Sequence, residues 1–161
     1  FLLLLLATTA FAQERSPGDV ELNVWGKSYH MSPAPLGRSF NESNIGVGFR
    51  YYFETTNGGT ELFTGVDIFK NSTAGRAITL GVGCQTRLFS IGQTSVLAGA
   101  TVGVLSYENT WRQKTYVTPA AYPFIGLRRK KVTMTIGYIP AIVTQGDRLP
   151  AVLFTYISIR F

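Results

Sequence analysis

Residues 151–161, Ala-Val-Leu-Phe-Thr-Tyr-Ile-Ser-Ile-Arg-Phe, alternate without a break. Leu153, Thr155, Ile157, Ile159 and Phe161 fall on one side, and Val152, Phe154, Tyr156, Ser158 and Arg160 on the other. A side-chain period of two belongs to a β-strand. One side is almost wholly apolar; the other carries a hydroxyl, a phenol and a guanidinium. Such a strand either buries its apolar face in a soluble sheet or turns it to lipid in a membrane barrel.

The same pattern recurs along the chain. In residues 45–53, Ile45, Val47, Phe49, Tyr51 and Phe53 oppose Gly46, Gly48, Arg50 and Tyr52. In residues 132–138, Val132, Met134, Ile136 and Tyr138 oppose Thr133, Thr135 and Gly137. A soluble barrel would oppose its apolar set with a well-charged one. Here the second set is glycine, hydroxyl and an occasional arginine. Charged residues are only 15% of the chain, against about 25% in soluble domains. That favours lipid outside and a narrow polar lumen inside.

Eight strands are predicted, near 20–30, 44–54, 60–70, 76–89, 94–107, 116–128, 131–139 and 151–161. Most have the length of about 10 residues that a tilted strand needs to cross hydrocarbon. No helical period of useful length competes. The expected fold is all-β, an eight-stranded antiparallel up-and-down transmembrane β-barrel over residues 20–161. Strands starting on the periplasmic side put the short turns inside and the longer loops outside. His30, Asn71, Ser72, Tyr107 and Arg148 are then expected near the external end.

Residues 1–12, Phe-Leu-Leu-Leu-Leu-Leu-Ala-Thr-Thr-Ala-Phe-Ala, read as the hydrophobic part of a secretory signal with an Ala10-Phe11-Ala12 cleavage pattern. No Met or basic segment precedes it, so N-terminal residues are expected to be missing. The run is shorter than the roughly 20 residues of a membrane helix. Residues 13–19 form a short polar lead-in. An exported chain of this kind is expected in a bacterial-type outer membrane. Cys84 stands alone, so no internal disulfide is expected, and its apolar and glycine neighbours suit a small hydrophobe. The net charge of +6 suits anionic lipid. No basic helix or aromatic RNA motif points to nucleic acid. No Cys/His/carboxylate cluster suggests a metal and no glycine loop a phosphate, so neither metal nor cofactor is expected. The basic run 128–131, Arg-Arg-Lys-Lys, is expected in a solvated periplasmic turn.

The sole histidine, His30, ends the first strand, and Asn71-Ser72 follow the third. On this topology they share a rim. An imidazole in reach of a serine hydroxyl can take its proton and make it a nucleophile toward an ester. Asp67 lies four residues deeper than Asn71, roughly 13 Å along a strand. It is expected to pair with an inward arginine, Arg50 or Arg87. Pro119 and Pro123 fall inside the sixth strand and Pro140 ends the seventh. Proline cannot donate to a ladder, so these positions mean either a local bulge or an opening in the wall through which a lipid tail passes. Gly83, Gly99, Gly103 and Gly137 leave room inside for that tail.

The order of these segments resembles the lipid A palmitoyltransferase family over most of the mature chain. The segments are Ser28-Tyr-His30, Phe40-Asn-Glu42, Gly46-Val-Gly48, Phe69-Lys-Asn-Ser72, Pro119-Ala-Ala-Tyr-Pro123 and Gly137-Tyr-Ile-Pro140, ahead of the terminal strand. An alternating strand ending in Phe161 also resembles the closing strand that outer-membrane assembly machinery reads. The resemblance implies an acyltransferase moving a palmitate-like chain from a phospholipid donor to lipid A. His30 and Ser72 would be catalytic, and Asn71 would orient the histidine where the family has Asp. Pro119 and Pro123 would gate the wall, with Gly99, Gly103 and Gly137 around the tail. An amphipathic helix before the first strand, common in such proteins, has no counterpart in residues 13–19. The expected partners are those membrane lipids and, through Phe161, the assembly machinery, with the chain acting as a monomer. A non-catalytic barrel that kept the fold is the alternative, and Asn71 favours it.

Overall fold

The structure, a computed structural model, describes residues 16–56, 59–144 and 147–161. The expected signal sequence over 1–12 and residues 13–15 of the lead-in lie outside the described residues. Eight strands close a barrel: β1 (Val20–His30), β2 (Ser43–Thr55), β3 (Thr60–Lys70), β4 (Arg76–Ile91), β5 (Thr94–Asn109), β6 (Lys114–Arg129), β7 (Val132–Ile139) and β10 (Val152–Arg160). Each pairs antiparallel with its sequence neighbour, and β10 closes on β1 with Val24 opposite Ile157 and Leu22 opposite Ile159. Two three-residue strands, β8 (Ile142–Thr144) and β9 (Asp147–Leu149), form a hairpin in the last outer loop.

The apolar faces point outward. Val47, Phe49, Leu80, Val102, Ile136, Ile157 and Ile159 are exposed, while Phe154, Tyr156, Ser158 and Arg160 on the opposite face of β10 are buried. A soluble barrel would show the reverse. The fold is that of a transmembrane β-barrel with hydrocarbon against its outer wall. Cys84 shares this outward face.

The lumen is solid. Its half nearer the short β2–β3, β4–β5 and β6–β7 turns holds a polar network. Arg128 donates two 2.6 Å bonds to Glu61, Gln85 bridges Glu61 and Tyr52, and the Tyr52 hydroxyl donates to Glu21 at 2.8 Å. Arg128 is therefore an interior residue and not part of a solvated turn, because even-numbered positions of β6 face inward. Asp67 also departs from expectation. It accepts from Asn23, Trp25 and Thr79 rather than from Arg50 or Arg87. Arg50 donates instead to the Tyr156 hydroxyl, and its guanidinium lies 4.5–5.3 Å from the Phe63, Tyr156 and Phe124 ring centres, a cation–π arrangement.

The inward glycines do not leave an open slot. A Cβ at Gly83 would strike the Phe63 ring, at Gly99 the Phe124 ring and at Gly137 the Phe154 ring, while Gly103 lies against the Leu80 carbonyl. Each recess is filled by a neighbouring side chain or backbone. The physical reason is packing: a missing side chain on one strand is the space a ring on the next strand takes.

Candidate functional site

The outer rim brings together residues from four connections. His30 is the last residue of β1, and Ser72 follows β3 in the loop to β4. His30 Nε2 and Ser72 Oγ are 2.6 Å apart and both side chains are buried. The imidazole is stacked on Phe40 at 4.0 Å, and Phe40 on Trp111 at 5.3 Å. The Tyr107 phenol stands beside the Ser72 and Thr73 side chains.

Asn71 is near Ser72 in sequence but does not orient the histidine, contrary to expectation. Its Oδ1 accepts from Thr73 N, Thr73 Oγ1 and Gly75 N, and its Nδ2 donates to Glu108 O at 2.7 Å and Arg76 O at 3.0 Å. The amide is spent on folding the β3–β4 loop and tying it to β5. A carboxylate could not replace it, having no N–H for the two carbonyls. Ala74 takes a positive φ of 64° in this turn. Thr110 donates to the Thr73 carbonyl, and Asn41 N donates to the Ser72 carbonyl at 2.7 Å. The first and third outer loops thus hold the serine in place.

The group that faces the other ring nitrogen is Glu42. Its Oε1 is 4.0 Å from His30 Nδ1, and its side chain is half exposed. Sequence reading singled out the Phe40-Asn-Glu42 segment but gave Glu42 no role, because a loop carries no periodicity to say which way a side chain points.

Below the pair lies an apolar cavity of about 50 Å³, lined by Trp25, Phe69, Leu105, Ile139, Leu149 and Phe154 together with Ser72. Above it a cleft of about 700 Å³ opens outward, with Arg38, Arg112 and Arg148 in its walls. The β8–β9 hairpin supplies Ile142 and Leu149 to the apolar cavity. Its signal was the β-branched run Ile142-Val143-Thr144 before Gln145-Gly146, short enough to pass for loop. Among the described residues no group of three or more metal-ligating side chains occurs.

Pro119 and Pro123 both sit on the outward face of β6. The β5–β6 ladder runs unbroken past them, from Thr94–Arg129 to Asn109–Lys114. The β6–β7 ladder spans only Phe124–Gly137 to Arg129–Val132. The outer half of β6 therefore has no strand partner on its β7 side among the described residues. Since the β5 ladder is complete, the missing proline donors lie on the β7 side, at this break in the wall.

No protein-family model and no curated protein matches the sequence. Solved structures do match in fold. The chain is similar to a designed transmembrane β-barrel, with 14% identity over 92% of this chain and all of that one, at a TM-score of 0.55. It is also similar to the N-terminal β-barrel domain of Pseudomonas aeruginosa OprF, with 10% identity over 91% of this chain and all of that one, at a TM-score of 0.55. At these identities the likeness concerns the barrel and its strands, not the rim.

Proposed function

We propose that the chain is an outer-membrane acyltransferase that moves a fatty acyl chain from a phospholipid to lipid A. The observation that carries this reading is the buried 2.6 Å contact between His30 Nε2 and Ser72 Oγ, set at the outer rim of a lipid-facing barrel. His30 takes the Ser72 hydroxyl proton as Oγ attacks the ester carbonyl. The ester C–O bond breaks, and the leaving glycerol oxygen takes the proton from His30. In the second half a lipid A hydroxyl gives its proton to His30 and attacks the acyl-serine. Ser72 leaves as the alkoxide and regains the proton.

Two further features support the reading. The break between β6 and β7, flanked by Pro119 and Pro123, offers a path from the bilayer. The arginines of the outer cleft suit the phosphates of the acceptor. The Gly99 and Gly137 recesses would contribute only if Phe124 and Phe154 moved, and Gly103 lies against the backbone of β4. The apolar cavity of about 50 Å³ has room for only a few water molecules, each needing about 10–15 Å³ of such volume. Binding a long tail therefore requires Trp25 and Phe154 to shift. That filled lumen is the observation favouring a second reading, a non-catalytic barrel.

Purified protein in detergent with phosphatidylcholine and lipid A tests the proposal. Mass spectrometry should find acylated lipid A with the wild-type chain. Ser72→Ala and His30→Ala should lose the product. Equal turnover by both variants and the wild type would refute the assignment.

A further inference from the structure

We infer that Glu42 is the positioning residue that holds the His30 imidazole and stabilises its charged form, the place that resemblance alone would give to Asn71. The inference rests on the acyl-transfer reading. It begins with the tautomer. To accept the Ser72 proton, Nε2 must be unprotonated, which puts the proton of the neutral ring on Nδ1. That nitrogen is buried and has no hydrogen-bond partner. The Glu42 carboxylate faces it, with Oε1 at 4.0 Å. Tyr107, beside Ser72, is the other titratable side chain at the pair.

The segment 40–42 is built around the histidine. Phe40 covers one face of the ring. Asn41 N donates to the Ser72 carbonyl, and Asn41 Nδ2 donates to the Asn71 carbonyl at 2.9 Å. The Glu42 carbonyl accepts from Ser28 N at 3.0 Å, which ties the loop to β1 two residues before His30. Both ends of the segment are anchored, and Phe40 and Glu42 meet the same imidazole, one on its face and one beyond Nδ1. At 4.0 Å the carboxylate is beyond hydrogen-bond range. Being half exposed, it is free to close on Nδ1–H once the ring takes a second proton, and catalytic contacts of this kind tighten in the working complex. Asn71 cannot compete, since both ends of its amide are engaged.

The test uses the fact that the chain has one histidine. In untagged protein labelled with ¹⁵N-histidine, the ring signal reports the tautomer and titration of His30 alone. The wild type should show the Nδ1–H tautomer. Removing a carboxylate destabilises the imidazolium, so Glu42→Gln should titrate at lower pH. An attraction at 4 Å screened as in water changes the imidazolium population about fivefold, equivalent to a shift of about 0.7 pH unit. The acid limb of the acyl-transfer pH–rate profile should move the same way, with a plateau kcat at least about fivefold lower by the same attraction. Glu42→Asp should recover part of both. A merely structural loop residue would lower the rate without moving the limb. If the wild type transfers acyl groups and Glu42→Gln leaves titration and profile unchanged, Glu42 has no such role. If the wild type transfers none, the acyl-transfer reading fails and the catalytic role of Glu42 fails with it, while the titration still reports whether the carboxylate acts on Nδ1.

Discussion

Placing an arginine on the outer wall tests where the hydrocarbon is. Val66 lies near the middle of β3, exposed, with outward Phe49 and Leu80 opposite it on the neighbouring strands. Three adjacent strands thus present apolar side chains at one level. If lipid covers that level, Val66→Arg must bring a guanidinium to the bilayer midplane, at about 2–4 kcal/mol. If water covers it, an exposed substitution on a strand costs within about 0.5 kcal/mol. Leu36, fully exposed in the first outer loop, is the control, and Leu36→Arg should be neutral in either case. Urea unfolding in phosphatidylcholine vesicles, followed by tryptophan fluorescence, separates the outcomes. A gap of 2 kcal/mol or more between the two variants, about thirtyfold in the equilibrium constant, is expected. Variants equal within about 0.5 kcal/mol would refute the lipid-facing wall.

The lumen and loops give further expectations. Glu61→Ala leaves Arg128 buried without its bidentate partner and should destabilise by about 3–5 kcal/mol in the same unfolding assay. Asn71→Asp removes both amide donors to Glu108 O and Arg76 O; acyl transfer should fall rather than rise, measured as initial rate. Replacing Pro119 and Pro123 with valine should let the β6–β7 ladder extend, slowing transfer without loss of the cold-to-heated shift of a folded barrel on a denaturing gel. The packed interior of Arg50, Phe63, Phe124, Phe154 and Tyr156 should give no stepwise ion conductance in planar bilayers.

The wall of this barrel is legible in the sequence because a strand with different media on its two faces must alternate. β1 and β3 have the predicted ends, and the outward residues of β2, β7 and β10 are those the alternation assigns. The interior is not legible in the same way. Gly99 and Gly137 read as empty space along their own strands. Whether Phe124 and Phe154 fill that space depends on register across strands, which one-dimensional spacing does not contain. Arg128 shows the same limit, since a basic run looks solvated until strand parity turns one member inward. At the rim, counting strands put His30 and Ser72 at the same end of the barrel, and the family resemblance made them a pair. Neither could supply the roles of Asn71 and Glu42, because they depend on how three loops cross above the barrel.

A working His30–Ser72 pair at the rim of a lipid-facing barrel should add an acyl chain to lipid A in cells. Lipid A extracted from Gram-negative cells expressing the chain tests this most directly. Mass spectrometry should find a species heavier by one fatty acyl group with the wild type and none with Ser72→Ala. Lipid A unchanged by the wild-type chain, with the barrel folded in the outer membrane, would contradict the account.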